Sequence, residues 1–381
     1  MAYFDNAATT YPKPEEVYEA MDSFARNCGG SVGRGNHARS LSAGAIVAET
    51  RKLIQNVLHC PSKQVVFTPT ATIALNIIIQ GLVQTGLKNV YISPFEHNAV
   101  TRTLQHLKLV NGIDIQTLAV TDGLEYDFAQ IGVQFSNKKP DLLIVSHVSN
   151  VIGLVSPVED ICEMAKKHGA FTVVDMAQSA GLIDLHCGRE CFDFAVFAGH
   201  KTFYGPTGVS GFIMKPEIHL PPVIFGGTGF DSANQDMPSS IPERFEMGTM
   251  NTIAIAGLNA SLKWIQNTSV SAIHQRETEN REKLLQILSE YDFIQPVGLS
   301  AGNQYSGIVS VIISGISSDS AGIVFAERGI QVRSGLQCAP LAHKKLGTFP
   351  AGTVRFSISY FTNEDDFDEL RNALDYIEDN I

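Results

Sequence analysis

Short apolar runs rich in β-branched and aromatic residues alternate along this chain with segments whose apolar residues fall at helical spacing. The runs are Val65–Phe67, Asn89–Ser93, Asp114–Val120, Leu142–His147, Phe171–Asp175, Phe192–Phe197 and Val209–Met214, and Val158–His168 carries a helical pattern between two of them. A strand that is apolar along its whole length must be covered on both faces, so the expectation is an α/β fold with a mostly parallel seven-stranded sheet sandwiched by helices. Residues 221–252 are rich in Gly, Pro, Ser and Asn and read as an extended loop. Beyond them, Ile255–Gln266 and Ser271–Tyr291 have the look of long helices, and the remainder reads as a smaller α+β unit. The expected division is a large domain over 15–255 and a small domain formed by 1–14 and 256–381. No internal repeat and no low-complexity tract interrupts this pattern.

With 381 residues the chain can bury a large core in two domains. Its 28 basic and 39 acidic side chains give a formal charge of -11, which argues against non-specific binding to nucleic acid or to an anionic membrane. No apolar stretch approaches the ~20 residues of a membrane span, and Met1-Ala2-Tyr3-Phe4-Asp5 lacks the basic segment and apolar core of a secretory leader. A cytoplasmic protein is therefore expected. The six cysteines are scattered, and Cys187-Gly188-Arg189-Glu190-Cys191 is the only close pair. Without a second pair no metal is expected, and most of these thiols read as small buried apolar groups.

Ligands on open α/β sheets bind beyond the carboxyl ends of the strands, and two runs end there in charges. Phe171-Thr172-Val173-Val174 leads to Asp175; Phe192 to Ala198 leads through Gly199-His200 to Lys201, followed by the turn Gly205-Pro206-Thr207-Gly208. Lysine suits a Schiff base with an aldehyde cofactor, and aspartate suits a protonated pyridine nitrogen, which together describe a pyridoxal 5'-phosphate (PLP) site. The alternative is a buried structural ion pair, an expensive arrangement. The phosphate end of such a site needs a helix N-terminus with hydroxyls, and Val65-Val66-Phe67-Thr68-Pro69-Thr70-Ala71-Thr72 before the helical run Ile73–Gly81 supplies one. Thr70 or Thr72 could equally be a plain helix cap. His97, in Phe95-Glu96-His97-Asn98, follows another strand and could stack on the pyridine face or serve structure alone. Cys338 lies in Gly335-Leu336-Gln337-Cys338-Ala339-Pro340, a loop rather than an apolar helix, where an accessible thiol could act as a nucleophile. Arg355, in Thr353-Val354-Arg355-Phe356-Ser357, could hold a carboxylate through two hydrogen bonds or form a surface salt bridge.

These motifs, in this order, resemble the cysteine desulfurases of the class V aminotransferase family, in the branch with the Suf-type desulfurases and selenocysteine lyases. The likeness includes Phe4-Asp5-Asn6-Ala7-Ala8-Thr9-Thr10, Ser149-Asn150-Val151-Ile152-Gly153, Val174-Asp175-Met176-Ala177-Gln178, Gly199-His200-Lys201 and Phe245-Glu246-Met247-Gly248-Thr249-Met250-Asn251-Thr252. It implies a PLP-dependent transferase of fold type I that acts as a homodimer and passes sulfur to an acceptor. Lys201 would bind the cofactor covalently and move the Cα proton, Asp175 would balance the ring nitrogen, Gln178 would bond the ring oxygen, and His97 would stack and take the thiol proton. Thr70, Ala71, Thr72 and His200 would hold the phosphate, joined by Thr249 from the second subunit. Asn150 and Arg355, with Asn6 and Ala7 nearby, would receive the substrate. The implied reaction takes L-cysteine to L-alanine and leaves a persulfide on Cys338. Selenocysteine lyase activity, another lyase or aminotransferase of the same fold, and a cofactor-free interaction module are the alternatives. The chain departs from the family at Ala198 and Ala71, where hydroxyls are common, at Phe361 in Tyr360-Phe361-Thr362, and in a Cys338 loop lacking the His-rich form.

Overall fold

The computed structural model describes residues 1–33, 35 and 37–380. In chain order the elements begin with β1 (Ala2–Tyr3), α1 (Glu15–Asn27), α2 (Ala38–Val57), β2 (Gln64–Thr68), α3 (Ala71–Gln84), β3 (Asn89–Ile92), α4 (Asn98–Asn111) and β4 (Asp114–Thr117). Next come α5 (Phe128–Asn137), β5 (Leu142–Ser146), α6 (Val158–Lys167), β6 (Phe171–Asp175), β7 (Phe194–Ala198) and β8 (Ser210–Met214). After a long irregular stretch follow α7 (Thr252–Thr268), α8 (Val270–Leu288), β9 (Ile294–Pro296), β10 (Ile308–Ile313), α9 (Ser318–Glu327), β11 (Ile330–Gln331), β12 (Arg333–Gly335), α10 (Pro340–Lys345), β13 (Thr353–Ser357) and α11 (Glu364–Glu378).

The central sheet has seven strands in the order β2-β8-β7-β6-β5-β3-β4. All pair in parallel except β8, which runs antiparallel to both β2 and β7. Alternate residues of each strand enter two separate apolar cores. Val65, Phe67, Leu143 and Val145 belong to one, and Val66, Leu142, Ile144, Val173 and Phe212 to the other. Burying an aliphatic or aromatic side chain of this size stabilises by roughly 1.5–3 kcal/mol, so both faces hold the sheet in place. A four-stranded antiparallel sheet, β12-β13-β10-β9, carries a third core that includes Phe4, Val311, Phe325, Phe356 and Leu370, and β1 pairs in parallel with β11 beside it.

Of the seven expected strands only Phe171–Asp175 keeps its bounds; four others move by one residue at one or both ends, and two move further. The run Asp114–Val120 is a strand only to Thr117, and Val120 instead bridges Tyr126. The run from Phe192 begins pairing at Phe194 and extends to Ala198. No described helix is long and apolar enough to cross a membrane. Because β2, β3, β5, β6 and β7 share one direction, the segments that follow them all emerge at the same edge of the sheet.

Candidate active site

At that edge, β6 ends in Asp175, whose Oδ1 accepts the Ala177 N–H at 2.9 Å. β7 ends at Ala198, and the turn to Lys201 crosses at Gly199, where a Cβ would collide with the carbonyl oxygen of Val209. The N-terminal segment clamps this turn from outside: Thr10 N–H donates to His200 O at 3.1 Å, and Thr10 Oγ1 donates to Lys201 O at 2.8 Å. Tyr204 N–H donates to the same Lys201 carbonyl at 2.7 Å. After β3, His97 caps α4 by accepting Ala99 N–H on Nδ1 at 3.0 Å, which leaves Nε2 free for another contact. After β2, Thr70 caps α3 by accepting Ile73 N–H at 3.3 Å.

These segments enclose a cavity of about 280 Å³ lined by Thr70, Ala71, Thr72, His97, Asn150, Asp175, Gln178, His200 and Lys201, together with Ser146 and small apolar groups. Burial pushes the Lys201 amine down to about 8, against the opposing pull of Asp175. Burial also raises Asp175, while the Ala177 N–H and Lys201 act the other way. His97 and His200 are both lowered to about 4, chiefly by burial and then by Lys201, so both imidazoles are neutral at pH 7. His200 Nδ1 is buried without a hydrogen-bond partner among the described residues, as is Thr202 Oγ1 beside it. An amine that gives up its proton more readily than an ordinary lysine, a buried carboxylate, a capped helix N-terminus and an unpartnered imidazole nitrogen are the donor set that suits PLP.

The remaining expected residues lie around this cavity rather than in its wall. Arg355 is 3% exposed and pairs with Asp5 Oδ1 at 2.9 Å, which corrects the surface-salt-bridge alternative: the pair is buried. Its Nη1 donates to Asn150 O at 2.8 Å, and its Nε has no described partner. Asn6 is occupied in structure, donating to Ser357 O at 2.8 Å and accepting Tyr11 N–H at 3.1 Å. Ala7 contributes its carbonyl, which accepts from Gln178 Nε2 at 2.8 Å. Cys338 is exposed and lines a separate groove of about 780 Å³ with Asn98, Arg102 and Lys108. Asn98 N–H, next to His97 of the cavity wall, donates to Cys338 O at 2.7 Å. Thr249 is exposed and lines another cavity, with Phe245, Met247 and Asn251.

Glu96 was passed over in the sequence, although it sits beside His97. It is fully buried, accepting from Ser93 Oγ at 2.5 Å and from Ser146 N–H at 2.6 Å. Burial raises its carboxyl to about 8, with Asp175 adding to the effect. Glu96 lies in the turn between β3 and α4 with Ser93, His97 and Asn98 as polar neighbours, so nothing local marked it as buried.

Comparison with known proteins agrees with this geometry. The family model for class-V aminotransferases matches residues 2–370. A probable cysteine desulfurase of Pyrococcus abyssi is 31% identical over 380 residues, covering 98% of this chain and 93% of the relative. One from Methanothermobacter thermautotrophicus is 31% identical over 382 residues, with 98% and 94% covered. The apo structure of a cysteine desulfurase from Thermococcus onnurineus superposes with a TM-score of 0.90 at 28% identity, covering all of this chain and 95% of that one. With the match running nearly end to end, and with the lysine and the aspartate at the ends of neighbouring parallel strands, the chain belongs to the class-V aminotransferase family.

Proposed function

We propose that this protein is a PLP-dependent cysteine desulfurase that takes sulfur from L-cysteine, yielding L-alanine and a persulfide on Cys338. The observation that carries the reading is the single cavity holding Lys201, Asp175, Gln178, His97 and His200, with an exposed cysteine whose carbonyl is bonded by Asn98, the residue after His97. When bound, PLP supplies an electron sink for the pair left as the substrate Cα–H bond breaks. Lys201 would hold the cofactor aldehyde, and its lowered basicity makes it a proton carrier at Cα near neutral pH. Asp175 would face the ring nitrogen, Gln178 the ring oxygen, and neutral His97 the ring face. The start of α3 at Thr70, Ala71 and Thr72, with His200, would hold the phosphate.

Asn150 and Arg355 orient the substrate carboxylate, a role favoured by the unpartnered Nε of Arg355; Asn6 and Ala7 close that side of the site. The Cys338 thiolate attacks the substrate sulfur, its C–S bond breaks, and the bonding pair stays on Cβ, which is protonated to the methyl of alanine. The thiol proton is assigned to His97, whose neutral ring accepts it at Nδ1 as the Ala99 N–H bond there is released. Thr249, exposed and outside the cavity of its own chain, is read as reaching the phosphate of a second subunit in a homodimer. The groove beside Cys338, with Arg102 and Lys108, is read as the approach for a sulfur-acceptor protein. The domain division at 14/15 and 255/256 is kept in this reading.

Mass analysis after incubation with L-cysteine tests the proposal. A gain of one sulfur on the peptide carrying Cys338, with stoichiometric alanine, is expected. Alanine formation at the parent rate by Cys338→Ser would defeat it.

A further inference from the structure

Gln337 and Cys338 are consecutive residues with positive φ, 40° and 58°, although neither is glycine. Side chains with a Cβ hold that conformation only where the surroundings over-determine it. The surroundings here converge on Gln337, which is buried while Cys338 beside it is exposed. Gln337 Nε2 donates to Thr353 O at 3.0 Å, and its Oε1 lies 2.8 Å from His343 Nε2. Its main-chain carbonyl accepts from Asn150 Nδ2 at 2.7 Å, and the following carbonyl, that of Cys338, accepts from Asn98 N–H at 2.7 Å.

The bonds assign the tautomer. An amide whose nitrogen donates to Thr353 presents its oxygen to His343, so His343 Nε2 carries the proton and Nδ1 accepts from Thr348 Oγ1 at 2.7 Å. His343 is fully buried, and burial lowers its basicity to about 4, so the neutral ring persists at neutral pH. Thr348, His343 and Gln337 thus form a closed hydrogen-bonded chain ending one residue before the thiol. Asn150 fastens the other side of that residue to the place where Arg355 also bonds.

We propose that Gln337 and His343 are positioning residues, a latch that fixes the backbone of Cys338 for attack on the substrate sulfur and links it through Asn150 to the substrate carboxylate site. This rests on the reading of Cys338 as sulfur acceptor. Neither residue touches substrate; both act through the conformation they impose.

The test uses full-length holoenzyme and separates sulfur transfer from the proton chemistry at Lys201. Alanine formation from L-cysteine reports the first. Exchange of the Cα hydrogen of L-alanine for deuterium reports the second and needs no thiol. Gln337→Leu is expected to lower kcat for alanine formation roughly 10- to 100-fold, because misplacing a reacting group by about an ångström has that effect. KM and the exchange rate should stay within about twofold, the margin of an unperturbed substrate site. Gln337→Glu, which keeps the shape but loses the donor to Thr353, and His343→Ala should follow the same pattern. His343→Gln, which restores an N–H toward Gln337, should recover part of the loss. Parent-like kcat in folded Gln337→Leu or Gln337→Glu overturns the latch, as does a parallel fall in exchange, which would mark general damage to the site. If Cys338→Ser alone keeps the parent rate, the assignment of Cys338 fails first, an outcome separable from failure of the latch.

Discussion

Lys201 is a different reagent from a surface lysine because burial has lowered its amine to about 8. At that pH half of the side chain carries a free lone pair, against less than about 1% for an ordinary lysine. Apo protein should therefore capture PLP at a rate that climbs about tenfold per pH unit below 8 and levels above it. Visible absorbance followed across this range checks the point, and a rate still rising steeply at pH 10 would contradict it. Glu96 makes the opposite case. Its folded-state carboxyl sits near 8 instead of 4.5, so the folded protein binds that proton more tightly and stability falls as pH rises between the two values. Glu96→Gln, which imitates the protonated acid, should match the parent near pH 4, flatten part of that decline, and unfold at a higher urea midpoint than the parent at pH 7. Glu96→Ala should cost about 1–3 kcal/mol by leaving Ser146 N–H unpaired. Urea unfolding at several pH values distinguishes the three proteins. Lys201 and Asp175 were legible in the sequence because a charge at the end of an apolar run has few structural uses. Glu96 was not, because one of its partners, Ser146, reaches it only across two strands of the folded sheet.

The turn between β7 and β8 shows how an element controls the site. Gly199 is required by the close approach of Val209, not by an unusual φ, since the strand pair leaves no room for a methyl group. Gly199→Ala should destabilise by about 1–3 kcal/mol through overpacking and lower cofactor occupancy, because the turn that presents Lys201 must shift. Chemical denaturation together with the visible spectrum of the purified protein measures both. Parent stability with full occupancy would show that the turn has slack. Most strands and helices were readable from periodicity, since continuous apolar runs and helical spacing report burial directly. The reversed direction of β8 was not, because Ser210–Met214 is as apolar as its parallel neighbours and direction leaves no mark on composition. The end of β4 at Thr117 was equally hidden: Ala119 and Val120 are apolar, but pairing had already stopped.

In the whole molecule, the reading of Thr249 makes each active site the product of two subunits. Lys201→Ala and Thr249→Asp proteins, each inactive alone, should regain roughly a quarter of parent activity when unfolded and refolded together, since half the dimers are mixed and one of their two sites is intact. Alanine formation after mixing measures this; no recovery despite dimers by light scattering would place Thr249 in the site of its own subunit, and a Thr249→Asp protein active by itself would place it outside the site. The sequence by itself determined the layered α/β fold and the residue types of the site, because burial on both faces of a sheet and the chemistry of a lysine and an aspartate at strand ends are written in local composition. Only the tertiary structure decided that Arg355 is buried against Asp5, that Asn6 is consumed in holding the N-terminal segment, and that Gln337 is anchored by His343, Thr353 and Asn150. Those are pairings between residues far apart in the chain. A hydrogen bond depends on where two groups meet in space, and no pattern along one stretch of sequence specifies its distant partner.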